Sequence, residues 1–339
     1  MDQRYSRQIL FPEIGKRGQE RLHESRVLLV GCGALGASHA EMLTRAGVGK
    51  LRIVDRDFVE LTNLQRQTLF KESDASERLP KAIAARNRLA EINSGIEVEP
   101  VIADVNYSNV ESLIDECDVV LDGTDNFQVR YLLNDACIKH GQTWIYGAAV
   151  SSYGTTMTVI PGETPCLRCI FDEMPDVGSS PTCDTTGVIM PIIATVSATQ
   201  VAEALKILVG DKAALHGSLF QFDIWANDRQ RIKLGKPNPD CKACGKHIFE
   251  FLDAELQEFS ALLCGRDAVQ ISPLNSAELD LAELADRLRS IAEVQHNDYL
   301  VRFVDGPNEM TIFRDGRAIV KGTDDVSAAR SLYARYVGT

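Results

Sequence analysis

The sequence predicts an α/β fold with a doubly wound, mostly parallel sheet, followed by a small α+β appendage. Three observations lead there. An apolar run of β-formers, Val27 to Val30, feeds a glycine turn, GCGALG at 31–36, that opens a helical pattern. Strand-like and helix-like segments then alternate to about residue 160, the signature of parallel strands joined by helices on both faces. After Lys246 the composition shifts again, to short strands punctuated by turn residues.

Taken in order, the helix after the glycine turn runs from about Ala34 to Arg45 and stops at Gly47. LRIVD at 51–55 is the second strand, and PKAIAARNRLAEINS at 80–94 is a helix with Pro80 in its favoured first turn. VEPVIADV is a third strand. A short helix near NVESLID, the strand DVVLD, a helix around FQVRYLLNDACIKHG and two β-rich runs, TWIYGAAV and TTMTVI, complete a Rossmann-like nucleotide-binding half. Past Pro161 a loop rich in Pro, Gly, Ser, Thr and Cys extends to about Thr186, a length that marks functional or mobile segments. The apolar stretch 187–210 contains Pro191, Gln200, Glu203 and Lys206, so it reads as a buried core helix rather than a membrane span. SLFQFDIWANDRQRIKL at 218–234 reads as another strand of the same sheet, and the mostly parallel sheet is expected to carry antiparallel additions. The appendage offers a strand near AVQIS and a helix bearing Leu281, Leu284, Leu288 and Ile291. A meander of YLVRFV, MTIF and RAIVKG follows, with turns at DGPN and RDG, and the last element is the helix DDVSAARSLYARYV.

Bulk properties bound the function. A chain of 339 residues with 45% hydrophobic content can bury a large core. Its net charge of −12 and pI near 5.1 disfavour nucleic acid or an anionic membrane as a primary partner. The first twenty residues are broken by charge and lack the apolar core of a secretory signal. Nine cysteines in such a composition point to thiol or metal chemistry in a cytoplasmic protein rather than to a disulfide framework.

The glycines Gly31, Gly33 and Gly36 have the spacing that cradles phosphates at a helix N-terminus, for a dinucleotide or for ATP alike. Asp55 lies nineteen positions after Gly36, close to the ~20 expected of a ribose-binding carboxylate. Asp57 points to the same side of an extended chain and is a candidate metal or base-edge contact. What favours ATP is the surplus of charge around one glycine loop. Activating a carboxylate with a polyphosphate sets anion against anion, which demands several cations and Mg²⁺. Arg66, Lys81 and Arg7 are the candidate cations, and Asp125, after an apolar strand, is the candidate Mg²⁺ ligand. Each alone is more often a solvated surface charge.

Two CxxC pairs, Cys166 with Cys169 and Cys241 with Cys244, have the spacing of knuckles that converge on one structural zinc. Cys183 stands in PTCDTTGV just before a helix whose N-terminus lowers a thiol pKa, and reads either as a nucleophile or as a loop cysteine. Cys32, Cys117 and Cys137 read as small apolar fillers.

RYSRQIL, GCGALG, VDRDFVELTNLQRQ, PKA, DGTDN, the CxxC pair and TCDTTGV stand in the order found in the ThiF/MoeB/HesA family, which this chain resembles over about residues 1–247. The resemblance implies ATP-dependent adenylation of the C-terminal Gly-Gly carboxylate of a small ubiquitin-like sulfur carrier, with release of pyrophosphate, in a homodimer. It puts Gly31, Gly33, Ala34 and Gly36 beside the nucleotide, Asp55 on the ribose, and Asn63, Arg66 and Lys81 on the phosphates, with Gln67 in the same segment. Asp125 matches the metal-binding acid and Asn126 its neighbour, while Arg7 matches an arginine that reaches the partner subunit's ATP. Cys183 matches a cysteine associated with acyl transfer or persulfide chemistry, which involves a sulfur donor. On this reading residues 1–250 are the adenylyltransferase domain with its zinc knuckle, and 251–339 a separate α+β domain. Cys264 there is not followed by a rhodanese-like loop. The rivals are an NAD(P)-dependent oxidoreductase, a relative that adenylates a tRNA base, and a non-catalytic scaffold for a ubiquitin-like protein.

Overall fold

The structure, a computed structural model, describes residues 3–175, 183–253, 260–263, 268–272 and 278–337. The chain forms two compact units: Met1–Asp176 with Thr186–Glu255, and Val177–Thr185 with Leu256–Thr339.

The first unit is built on eight strands: β1 (Arg26–Val30), β2 (Lys50–Asp55), β3 (Glu97–Ile102), β4 (Val119–Asp122), β5 (Trp144–Val150), β6 (Tyr153–Val159), β7 (Ser218–Asp223) and β8 (Asp228–Lys233). They lie in the order β3-β2-β1-β4-β5-β6-β7-β8. The pairs from β3 to β5 are parallel, and those from β5 to β8 antiparallel. Helices α1 (Ser6–Ile9) and α2 (Gly15–Glu24) precede the sheet, and α3 (Ala34–Ala46) follows β1. Then come α4 (Glu72–Ser76), α5 (Lys81–Ile92), α6 (Val110–Ile114), α7 (Phe127–His140), α8 (Leu167–Ile170), α9 (Cys183–Thr186), of which only Thr186 falls in this unit, and α10 (Met190–Val209).

Parallel strands need crossover helices, and these cover both faces of the sheet, so β1 is apolar at consecutive positions. Its Val27 and Leu29 pack with Ala37 and Leu43 of α3 and Leu89 of α5, whereas Leu28 and Val30 pack with Leu113 of α6 and Leu133 of α7. The apolar helix α10 lies against α3, β5 and β6 as a core element.

Two expectations need correction. Residues 218–234 form a hairpin, not one strand, because Asp223 Oδ1 accepts from the N–H groups of Trp225 and Ala226 and turns the chain between β7 and β8. Pro80 sits at the N-cap of α5 and pairs as an isolated bridge with Phe58, so the helix begins one residue later, at Lys81.

In the second unit β9 (Ser260–Leu263), β10 (Ala268–Ile271), β11 (Val294–His296), β12 (Leu300–Asp305), β13 (Asn308–Phe313) and β14 (Ala318–Lys321) form an antiparallel sheet in the order β11-β12-β13-β14-β10-β9. Helices α11 (Leu281–Leu288) and α12 (Val326–Tyr336) pack on Val269, Val301, Phe303, Met310 and Val320. Leu281, Leu284 and Leu288 are buried as expected, but the helix ends before Ile291, which is 63% exposed. Cys264 lies outside the described residues.

Candidate nucleotide site and cysteine cluster

In this strand order the loops after β1 and β4 diverge at a topological switch point, where open α/β sheets bind ligands. Glycines let the two loops touch backbone to backbone. Gly31 has φ +86, a conformation that side chains disfavour. A Cβ on Gly36 would stand 1.9 Å from the Gly31 carbonyl oxygen, and one on Gly123 would stand 2.7 Å from the same atom. Gly33 occupies the N-cap of α3 and supplies no side-chain cap, so Ala34 opens a helix whose first N–H groups are donors for an anion. Cys32 is fully buried, and that burial pushes its thiol pKa up, in keeping with a filler.

Asp55 ends β2 and ties down this loop: its Oδ2 accepts from Cys32 N–H at 2.6 Å and its Oδ1 from Asp57 N–H at 2.7 Å. Burial raises its pKa, and nearby Lys81 offsets part of that rise. Lys81, the first residue of α5, is only 4% exposed. Its N–H donates to the Asp57 carbonyl at 2.9 Å and its Nζ to Asp57 Oδ2 at 3.1 Å. A lysine this buried beside two carboxylates and an anion-ready helix end is not a solvated surface charge.

The segment after β2 completes the floor. Asn63 Oδ1 accepts from Glu60 N–H at 2.9 Å, which leaves Nδ2 as the donor end of its amide. Gln67 is 4% exposed, and a Cβ at Gly33 would stand 3.9 Å from its Nε2. Its Oε1 is buried without a hydrogen-bond partner among the described residues. Arg66 is half-buried, and its Nη1 donates to the Thr62 carbonyl at 2.8 Å. Arg56 donates to Asp104 Oδ1 at 3.0 Å. Burial opposes its charge, but Asp104, Asp57 and Asp125 outweigh it and raise its pKa.

After β4, Asp125 is exposed on the loop and Asn126 serves as N-cap of α7, accepting from Val129 N–H at 3.3 Å. Sequence reading missed what holds this loop. Buried Arg130 donates from Nε to Asp122 Oδ2 at 3.1 Å, and from Nη2 to the carbonyls of Thr124 at 2.6 Å and Gly147 at 3.2 Å. Behind it, Gln200 Nε2 donates to the carbonyls of Asp122 and Ile145 at 3.0 and 3.1 Å, and its Oε1 meets His39 Nε2 at 2.8 Å. His39 is fully buried, and burial lowers its pKa to about 4. The available signal was polar residues inside apolar helix faces, at 39, 130 and 200.

Asn63 is buried within the segment that carries Gln67, and the fold brings Asp55, Asp57, Gln67 and Lys81 to the glycine loop, but not Arg7. Its neighbours Tyr5 and Gln8 sit at the other end of α3: a Cβ on Gly47 would stand 2.5 Å from the Tyr5 ring, and Gln8 donates to the Ala46 carbonyl. With 13 residues, α3 separates that end from the glycine loop by roughly 20 Å. Arg7 is exposed on α1. Cys183 begins the short helix α9, and its side chain lies outside the described residues.

The sulfurs of Cys166, Cys169, Cys241 and Cys244 lie within 4.8 Å of one another. The contacts Cys166–Cys169, Cys166–Cys241 and Cys169–Cys244 are 3.8, 3.6 and 3.3 Å. A tetrahedral site with metal–sulfur bonds of ~2.3 Å sets sulfurs about 3.8 Å apart, so the cluster fits zinc with little adjustment. Asn238 N–H donates to Cys169 Sγ at 3.5 Å, the kind of contact that stabilises a thiolate.

A model described as the ThiF family matches residues 5–243. The chain is similar to a sulfur carrier protein ThiS adenylyltransferase of Bacillus subtilis (strain 168), with 45% identity over 340 residues and 100% of each chain covered. It is 42% identical over 243 residues to a SAMP-activating enzyme E1 of Haloferax volcanii, covering 72% of this chain and 88% of that one. Among solved structures, E. coli MccB with MccA-N7isoASN matches with a TM-score of 0.64 and 23% identity, covering 72% of this chain and 76% of that one. This last likeness supports the fold.

Proposed function

The chain belongs to the ThiF family, and from that premise we propose that it uses ATP to adenylate the C-terminal Gly-Gly carboxylate of a ubiquitin-like sulfur carrier of the ThiS/MoaD type, releasing pyrophosphate, in thiamine or molybdopterin biosynthesis. The observation that carries the reading is Lys81, buried at the glycine cradle beside Asp55 and Asp57. Attack by an anion on a polyphosphate sets negative charge against negative charge, and a buried cation at the cradle offsets it.

The carrier carboxylate oxygen attacks the α-phosphorus, the bond from that phosphorus to the β-phosphate bridging oxygen breaks, and pyrophosphate leaves with its electron pair. The product is a mixed anhydride, which a sulfur donor then consumes. In this reading Asp55 orients the ribose, while Gly31, Gly33, Ala34, Gly36, Asn63 and Gln67 line the nucleotide. Lys81 and Arg66 face the phosphates. Asp125 would hold Mg²⁺, which adds charge neutralisation when bound. Arg7, on α1 beside the far end of α3, lies too far from its own cradle to serve it, which favours a homodimer in which it serves the second copy. Cys166, Cys169, Cys241 and Cys244 would hold a structural Zn²⁺, with no position left open for water. Such reduced thiols suit the cytoplasm. Cys183 is assigned an optional covalent role after adenylation.

The test is carrier-dependent exchange of labelled pyrophosphate into ATP, run with several purified carriers. Absence of exchange with all of them, together with NAD reduction on a small substrate, would reverse the assignment. Cys183→Ala should keep exchange and lose downstream sulfur transfer; normal sulfur transfer removes the covalent role.

A further inference from the structure

Arg56 stands between Asp55, the last residue of β2, and Asp57, and adenylation as described above leaves it unused. Its Nη1 donates to Asp104 Oδ1 at 3.0 Å, its Nε lies 3.9 Å from Asp57 Oδ1, and its side chain is 22% exposed. Asp104 comes two residues after the end of β3. Its carbonyl accepts from the side-chain amides of Asn106 and Asn109 at 3.2 and 2.8 Å, which braces the turn that presents it. The Arg56–Asp104 pair therefore bridges the C-terminal ends of β2 and β3.

Strand order says what lies there. A nucleotide with its phosphates on the loop after β1 and its ribose on Asp55 at the end of β2 carries its base away from the switch point, toward β3. A guanidinium is planar and stacks on aromatic faces, and a carboxylate bound at the edge of the plane does not compete with stacking on its face. Pairing with Asp104 also engages Nη1, one of the donors that would otherwise reach a phosphate.

We propose that Arg56, held in plane by Asp104, is the platform on which the purine base of the nucleotide lies, and that it governs affinity for ATP rather than the rate of the chemical step. This rests on the reading of the cradle as an ATP site. With full-length protein and its carrier, Arg56→Ala raises KM for ATP in pyrophosphate exchange by about 10-fold and leaves kcat within about 2-fold. Inorganic triphosphate, which has no base, inhibits the variant as well as it inhibits the wild type. Arg56→Phe, which restores a flat face without charge, recovers most of the loss. An unchanged KM in Arg56→Ala overturns the proposal, as does triphosphate inhibition that weakens in step with ATP, or an Arg56→Phe variant no better than Arg56→Ala. Calorimetric binding of ATP to the same variants reads the platform without turnover. Absent exchange in the wild type then counts against adenylation, and an unaltered Kd in Arg56→Ala counts against the platform.

Discussion

Lys81 and His39 show how burial changes what a residue type does. Lys81 is the first residue of α5, held through its backbone N–H and its ammonium by Asp57, so its position follows from where β2 ends. Lys81→Ala is expected to lower carrier-dependent pyrophosphate exchange by ~10²-fold or more while leaving the circular dichroism spectrum in place. His39 is neutral in the fold because burial lowers its pKa to about 4, against an ordinary 6.5. A folded-state pKa below the unfolded one means that its contribution to stability is complete above about pH 6.5 and is lost as pH falls toward 4. Between pH 7.5 and pH 5 the wild type should lose roughly 2 kcal/mol more than His39→Gln, read from urea midpoints at each pH. Equal losses would show that another group governs the acid limb.

At the scale of elements, the loop after β4 is positioned by two helices, α7 and α10, through buried polar side chains. Arg130 on α7 holds it from one face of the sheet and Gln200 on α10 from the other. Gly147 of β5 is glycine because Gln200 fills its side-chain space, and a Cβ there would meet Gln200 Oε1 at 2.3 Å. Gly147→Ala should therefore destabilise the fold by about 1–3 kcal/mol through overpacking and the lost hydrogen bonds. Gln200→Ala in the same chain should relieve the clash, so a thermal-melt double-mutant cycle shows strong coupling; additive effects would refute the shared space.

At the scale of the molecule, the cysteine cluster joins α8 to the segment after β8, about seventy residues apart in sequence. A zinc held there, as proposed, would contribute folding free energy on the order of 10 kcal/mol. Stripping the protein with a strong chelator, or replacing Cys241 by Ser, should release one zinc per chain by atomic absorption and lower the Tm by well over 10 °C. An unchanged Tm would mean the thiols only pack. From sequence alone, the alternation of apolar runs with helical periods determined the parallel sheet, and the glycine spacing with Asp55 located the cradle at the ends of β1 and β2. The CxxC spacing likewise announced the cluster, because its chemistry depends on residue type and short separations. Only the tertiary structure decided that residues 218–234 turn back as a hairpin, that Arg130, His39 and Gln200 brace the loop after β4, and that Arg7 lies at the far end of α3 from its own cradle. Those facts come from packing between segments distant in sequence, where a buried polar group gains its role from a partner that no local pattern reveals.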